Sequence, residues 1–190
     1  MRGDPASDRV WTVPNLISFG RFVLAIVAFW ALEREAWPAA LILFVVAAAS
    51  DGIDGWYART FDQVSRLGRI FDPLVDKVLI CGAFILVAND AGPILPWMAV
   101  LVVVRELVVT ALRAELERAG SDFSASFSGK VKMVLQCVAV ACVLAARSWP
   151  DLWPEPVTLS RLATWATWAA VASTAWSGIE YLWAARHLIR

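Results

Sequence analysis

The chain has 190 residues, of which 59% are hydrophobic and 18% charged, against about 45–50% and about 25% in ordinary globular domains. With a mean hydropathy of +0.63 it has too little polar surface to cover a particle in water, so a bilayer is the expected solvent. Its 17 basic and 17 acidic residues cancel, which removes the global basic field of a nucleic-acid-binding protein, and its three cysteines, Cys81, Cys137 and Cys142, sit in apolar runs without disulfide or zinc spacing.

The first dozen residues are polar and turn-prone and lack the features of a cleaved signal peptide. Membrane insertion is therefore expected to use uncleaved helices. Six apolar stretches follow, at about 15–32, 38–52, 73–90, 94–113, 130–147 and 158–185. Crossing the hydrocarbon takes about 20 helical residues. The first, third, fourth and sixth stretches meet that length alone and the fifth nearly does. The second, PAALILFVVAAAS, reaches it only if the helix continues into the polar run that starts at Asp51.

The breaks between stretches carry Pro, Gly, Asn and Asp, the residues that end helices. Trp37, Trp97, Trp149 and Trp153 stand at those edges, as interfacial aromatics do. Trp165, Trp168 and Trp176 are spaced as a lipid-facing or packing stripe on the last helix. The expected fold is all-α, a polytopic six-transmembrane-helix bundle forming a single domain over residues 1–190. Lys and Arg concentrate on the side of both termini, which the positive-inside bias assigns to the cytoplasm of a cell-membrane protein.

The richest segment runs D-G-I-D-G-W-Y-A-R from Asp51 to Arg59 and G-R-I-F-D-P-L-V-D from Gly68 to Asp76. On helices, Asp51 and Asp54 are spaced i,i+3 and Asp72 and Asp76 i,i+4, so each pair shares a face. Should the two helices pack as antiparallel neighbours, four carboxylates converge at one end. Acidic residues in a loop between spans usually form a solvated interface, but Asp76 lies well inside an apolar run, where an unpartnered carboxylate is costly. Cations must offset the group. Oxygen ligands without nearby His or Cys favour Mg²⁺, Mn²⁺ or Ca²⁺ over zinc. Gly55 and Gly68 permit close backbone approach, and Arg59 and Arg66 are suited to phosphate.

This string resembles the signature of the CDP-alcohol phosphatidyltransferase family, D-x2-D-G-x2-A-R-x8-G-x3-D-x3-D, with all eight defining positions present: Asp51, Asp54, Gly55, Ala58, Arg59, Gly68, Asp72 and Asp76. The resemblance implies a pair of divalent ions, Mg²⁺ or Mn²⁺, on the four aspartates, with Asp76 also the base. It implies contact with the CDP-lipid from Asn15, Gly55, Ala58, Arg59, Ser65 and Gly68, and it suggests a homodimer. The implied reaction is transfer of the phosphatidyl group from CDP-diacylglycerol to an alcohol, with CMP leaving.

Further charges interrupt the apolar helices. Arg105 and Glu106 lie inside the fourth stretch, Arg113 ends it, Lys130 and Lys132 open the fifth, and Arg21 lies inside the first. A charge held within the membrane usually faces a polar cavity, so Arg105, Arg113, Lys130 and Lys132 are candidates for binding an acceptor that carries phosphate. An Arg105–Glu106 pair is possible, although adjacent helical residues point in different directions. The run VVRELVVTALRAELERAG with FSGKVKM resembles bacterial phosphatidylglycerophosphate synthases, whose acceptor is glycerol 3-phosphate. The opening WTVPNLISFGR also resembles the CDP-diacylglycerol-dependent cardiolipin synthases of actinobacteria, whose acceptor is phosphatidylglycerol. Glycerol 3-phosphate is the expected acceptor and phosphatidylglycerol the alternative. A cation transporter is a reading from another class, but its site would lie near the membrane midplane and would leave Arg59 and the glycines without a role. His187, the one histidine, falls in a C-terminal basic run and is expected at the interface.

Overall fold

A computed structural model of the chain describes residues 13–60, 66–89, 92–118, 127–149 and 156–186. These residues form six helices and no strand: α1 Val13–Glu33, α2 Trp37–Thr60, α3 Arg66–Val87, α4 Pro96–Arg118, α5 Phe127–Ser148 and α6 Pro156–Ala185. Each has at least 21 residues, enough at about 1.5 Å per residue for the roughly 30 Å hydrocarbon core. Proline stands in the first turns of α1, α2, α4 and α6, where its missing N–H costs nothing. As expected, the second helix gains its length by running on through Asp51 to Thr60.

The distribution of side chains is that of a membrane protein. Phe19, Trp30, Ile42, Val100, Leu107, Val134, Trp165 and Trp176 are all more than half exposed, whereas Arg21, Arg105, Glu106 and Lys132 are buried. Trp165 and Trp176 thus take the lipid-facing option, and Trp168 also packs edgewise on Trp97, ring centroids 6.0 Å apart. Two of the six helices, over Asn15–Glu33 and Ser128–Ser148, are apolar enough to span on composition alone. The third, fourth and sixth stretches, expected to qualify unaided, have the length but not the composition. Polar residues of α4 and α6 (Arg105, Glu106, Thr167, Thr174 and Ser177) are buried in the protein interior, so average hydropathy understates how apolar their outer faces are.

The chain divides into two compact units, Met1–Ala83 and Phe84–Arg190, with the division inside α3. In the first, α1 and α2 form a tight hairpin. The turn is a Schellman-type cap: Ala36 N–H donates to Ala31 O (2.9 Å) and Glu35 N–H to Leu32 O (3.0 Å). Glu35 holds the left-handed conformation, φ 56°, that this cap demands. Buried residues recur at helical spacing, Ser18, Arg21, Ala25, Ala28 and Leu32 on α1 and Ala40, Phe44 and Ala47 on α2, and five of these eight are Ser or Ala. Small side chains let membrane helices approach closely where lipid supplies no hydrophobic drive.

Helix α3 meets α1 through Ser18 with Asp72, Arg21 with Asp76 and Phe29 with Gly82, and Phe22 packs on Phe71 beside the first of these. In the first three pairs residue numbers rise together, so α1 and α3 run parallel. In the second unit α6 packs against both α4 and α5. Trp97–Trp168, Arg105–Ser177 and Arg113–Tyr181 rise together, making α4 and α6 parallel. Ser128–Glu180 and Gln136–Thr174 run oppositely, making α5 antiparallel to α6. The inner face of α6 is Ala163, Thr167, Ala170, Thr174, Ser177 and Tyr181, alternating steps of four and three, as coiled-coil seams do.

A Cβ on Gly82 would overlap three carbons of the Phe29 ring. Gly82→Ala is therefore expected to cost about 1–3 kcal/mol as an overpacked contact, lowering the thermal midpoint in detergent. Adding Phe29→Leu should recover much of that loss. A single variant as stable as the parent would contradict the α1–α3 packing.

Candidate functional site

Site residues fall into two groups, one in each unit. In the first, Asp72 and Asp76 lie on successive turns of α3, and both are engaged by α1. Ser18 Oγ donates to Asp72 Oδ1, and Arg21 Nη1 makes an ion pair with Asp76 Oδ1. Arg21 is 1% exposed, and its Nε also donates to Ser50 Oγ at 3.2 Å. Ser50 in turn donates to Ala47 O at 2.8 Å, which fixes its hydroxyl toward the α1–α2 seam. A single guanidinium therefore ties α2 to α3 through α1.

Ser50 is the residue before Asp51, and α2 stays helical through Asp51 and Asp54. The i,i+3 spacing of that pair therefore lies in continuous helix, at the same end of α1 as Asp72 and Asp76. The side chains of Asp51, Asp54, Gly55, Ala58 and Arg59 lie outside the described residues, as does all of Ser65. Gly68, in the first turn of α3, is buried. Asn15 is buried one turn before Ser18. Pro73, between Asp72 and Asp76, cannot donate to the carbonyl four residues earlier. Among the described residues no group of three or more His, Cys, Asp and Glu side chains forms a metal cluster; the described part of the acidic set is Asp72 with Asp76.

In the sequence Arg21 stood out only as a charge inside the first span, without a partner; in the structure it meets Asp76 and Ser50. Ser18 and Ser50 were not singled out at all. Their signal is faint but readable, since Ser18, Arg21 and Asn15 are polar residues recurring at helical spacing within an otherwise apolar helix.

The second group lies among α4, α5 and α6. Glu106 Oε1 accepts from Lys132 Nζ and from Arg105 Nη1, the latter at 3.3 Å. The Arg105–Glu106 pair, left open by helix geometry, is thus made. Successive side chains leave the helix in different directions, but both are long enough to turn back and meet in a buried space. Arg105 Nη2 also donates to Ser177 Oγ at 2.5 Å, and Arg113 Nη2 to Tyr181 Oη at 2.6 Å. The Tyr181 ring lies within reach of both guanidinium groups, 5.5 Å from Arg105 Cζ and 5.6 Å from Arg113 Cζ. Nε of Arg105 and Nε of Arg113 are buried without a hydrogen-bond partner among the described residues. Such donors normally find an acceptor.

Three of the four expected acceptor cations are therefore brought together: Arg105, Arg113 and Lys132. Lys130 is exposed on α5, outside this buried cluster. Glu106, Ser177 and Tyr181 join the described cluster, and in the sequence only helical spacing pointed to the two α6 residues. Of the other residues singled out, Trp153 and His187 lie outside the described residues, and none of the three cysteines forms a disulfide among the described residues.

The model of the family described as CDP-alcohol phosphatidyltransferase matches residues 11–176. Relatives include the protein named CDP-diacylglycerol–glycerol-3-phosphate 3-phosphatidyltransferase in Bacillus subtilis (strain 168). It is 38% identical over 75% of this chain and 71% of its own length. Proteins of the same name in Shigella flexneri serotype 5b and Escherichia coli K12 are 34% and 33% identical, each over 93% of this chain and 96% of their own. This chain belongs to the CDP-alcohol phosphatidyltransferase family. It is an integral membrane enzyme that transfers a substituted phosphate group.

Glu106 is the counter-charge for two buried cations, so Glu106→Gln should destabilise the protein by roughly 3–5 kcal/mol, the usual cost of breaking a buried pair. Thermal unfolding in detergent checks this. A Glu106→Leu/Lys132→Met double variant should be markedly more stable than either single one. Additive losses would show that the two side chains do not interact.

Proposed function

We propose that this enzyme transfers the phosphatidyl group of CDP-diacylglycerol to glycerol 3-phosphate, giving phosphatidylglycerophosphate and CMP. The observation that carries the reading is Arg21, which holds Asp76 and Ser50 at once and so brings both acidic stretches of the signature to one end of α1. The names of the relatives support the donor and the acceptor. A family match that crosses from one unit to the other supports treating residues 1–190 as one functional domain.

The aspartates fit hard divalent cations. Their donors are carboxylate oxygens, and Asp76 already draws a buried cation from α1, a sign that this end of the helices needs positive charge. Asp51, Asp54, Asp72 and Asp76 would hold the ions, Mg²⁺ or Mn²⁺, two in number. When bound, they supply neutralisation of charge developing on the phosphate oxygens. Ser18 and Arg21 orient the two α3 carboxylates and limit their freedom to swing away. Asp76 takes the proton of the acceptor hydroxyl. The freed oxygen then bonds to the lipid-bearing phosphorus as that atom's bond to the CMP oxygen breaks. Asn15, Gly55, Ala58, Arg59, Ser65 and Gly68 hold the nucleotide end of the donor, and Gly68, buried and without a side chain, allows close approach.

The acceptor's phosphate is bound by Arg105, Arg113 and Lys132, with Lys130 on the exposed approach. The two buried Nε groups are supplied with acceptors by such an anion. The concentration of Lys and Arg on the side of both termini supports an active site at the cytoplasmic face.

Purified enzyme supplied with CDP-diacylglycerol, glycerol 3-phosphate and Mg²⁺ or Mn²⁺ should release CMP. Asp76→Asn, which keeps an oxygen for Arg21, should lower that rate by at least about 10²-fold. No release by the folded parent would refute the reaction, and near-parental turnover by the variant would remove Asp76 as the base.

A further inference from the structure

Two cations on one helix repel each other, and a site that uses both must hold them against that repulsion. Arg105 and Arg113 lie eight positions apart on α4, about 12 Å along its axis. Their guanidinium carbons nevertheless approach one aromatic ring, at 5.5 Å and 5.6 Å from its centroid. That ring, Tyr181, is 2% exposed and comes from the inner face of α6. Its hydroxyl accepts from Arg113 Nη2 at 2.6 Å, and one turn earlier Ser177 Oγ accepts from Arg105 Nη2 at 2.5 Å. The negative face of an aromatic ring attracts cations, and a phenol hydroxyl fixes which way a guanidinium turns. On each arginine Nη2 is committed to α6, while Nε is buried without a hydrogen-bond partner among the described residues. A guanidinium turned by such contacts presents its remaining N–H to a shared anion.

Formal charge narrows the anion. Arg105, Arg113 and Lys132 contribute three positive charges and Glu106 one negative, leaving a surplus of two. A phosphomonoester is largely dianionic near neutral pH, whereas a phosphodiester carries a single charge.

We propose that Tyr181 is the positioning residue of the acceptor site, holding Arg105 and Arg113 apart and turned so that their free N–H groups converge on a phosphomonoester dianion. This rests on the assignment of those cations to the acceptor in the proposed function. Tyr181 touches the two arginines and acts through them.

The test is steady-state kinetics of Tyr181→Phe and Tyr181→Leu, varying glycerol 3-phosphate at saturating CDP-diacylglycerol and then the reverse. Losing two cation–π contacts should raise KM for glycerol 3-phosphate roughly tenfold in Tyr181→Leu, with KM for CDP-diacylglycerol within about twofold of the parent. Tyr181→Phe keeps the ring and should fall between the two, at about threefold. Inorganic phosphate should raise the thermal midpoint of the parent and lose that effect in Tyr181→Leu. An unchanged KM for glycerol 3-phosphate in both variants, or equal rises in both KM values, overturns the proposal. Where Tyr181→Leu fails to fold, the Tyr181→Phe shift decides alone. A parent that turns over phosphatidylglycerol but not glycerol 3-phosphate refutes the underlying reaction, and this inference with it. A parent active on glycerol 3-phosphate with unaffected variants refutes only the role of Tyr181.

Discussion

A charge carried on an apolar helix has to meet its counter-charge inside the protein, because lipid offers neither water nor an opposite ion. That constraint organises both units. Arg21 sits in the middle of one of the two most apolar helices and is almost completely buried. Its position is tolerable because polar partners, Asp76 and Ser50 among them, receive it. Since those partners belong to two other helices, satisfying one guanidinium also sets how α2 and α3 stand against α1. In the second unit Glu106 plays the reciprocal part, a single carboxylate between Arg105 and Lys132 that draws α4 and α5 together, while α6 supplies Ser177 and Tyr181. Packing around these pairs uses small residues, as membrane helices do when close approach is the main source of attraction.

The two clusters carry opposite signs, and this divides the chemistry. In the first unit the described carboxylates are Asp72 and Asp76, received by Ser18 and Arg21. In the proposed function the signature's aspartates at that end would hold divalent cations and, with them, the diphosphate of a CDP-linked lipid. Among the described side chains of α4, α5 and α6 the balance is reversed, three cations to one carboxylate, and two guanidinium nitrogens have no acceptor among the described residues. A polar core that is nearly but not fully satisfied is expensive to maintain. In the proposed function an incoming phosphate would complete it, with the surplus as its binding site and the matched pairs as its frame.

Much of this was legible in the sequence. The carboxylate signature, the continuation of α2 through Asp51 and the expectation of buried charge on α4 follow from spacing and hydropathy, which are local properties. Partners across helices were not legible. Ser18 meets Asp72 over 54 positions and Arg113 meets Tyr181 over 68. Helical periodicity tells which face a residue occupies but not which neighbour that face meets. Arg21 shows this most clearly, because its depth in the first span was evident while its partner was not. The Arg105–Glu106 pair was left open for a related reason: Cβ directions diverge between neighbours, yet long side chains in a closed space can bend back. On α6 the exposed tryptophans drew attention to the lipid face and hid the inner stripe that ends in Ser177 and Tyr181.

The central claim, that the surplus positive charge among α4, α5 and α6 selects a phosphate-bearing alcohol of double negative charge, is tested most directly by competition. The purified enzyme would receive CDP-diacylglycerol with equal amounts of glycerol 3-phosphate and phosphatidylglycerol, and the lipid products would be identified by mass. Phosphatidylglycerophosphate as the dominant product is the predicted result. Cardiolipin as the dominant product would contradict it.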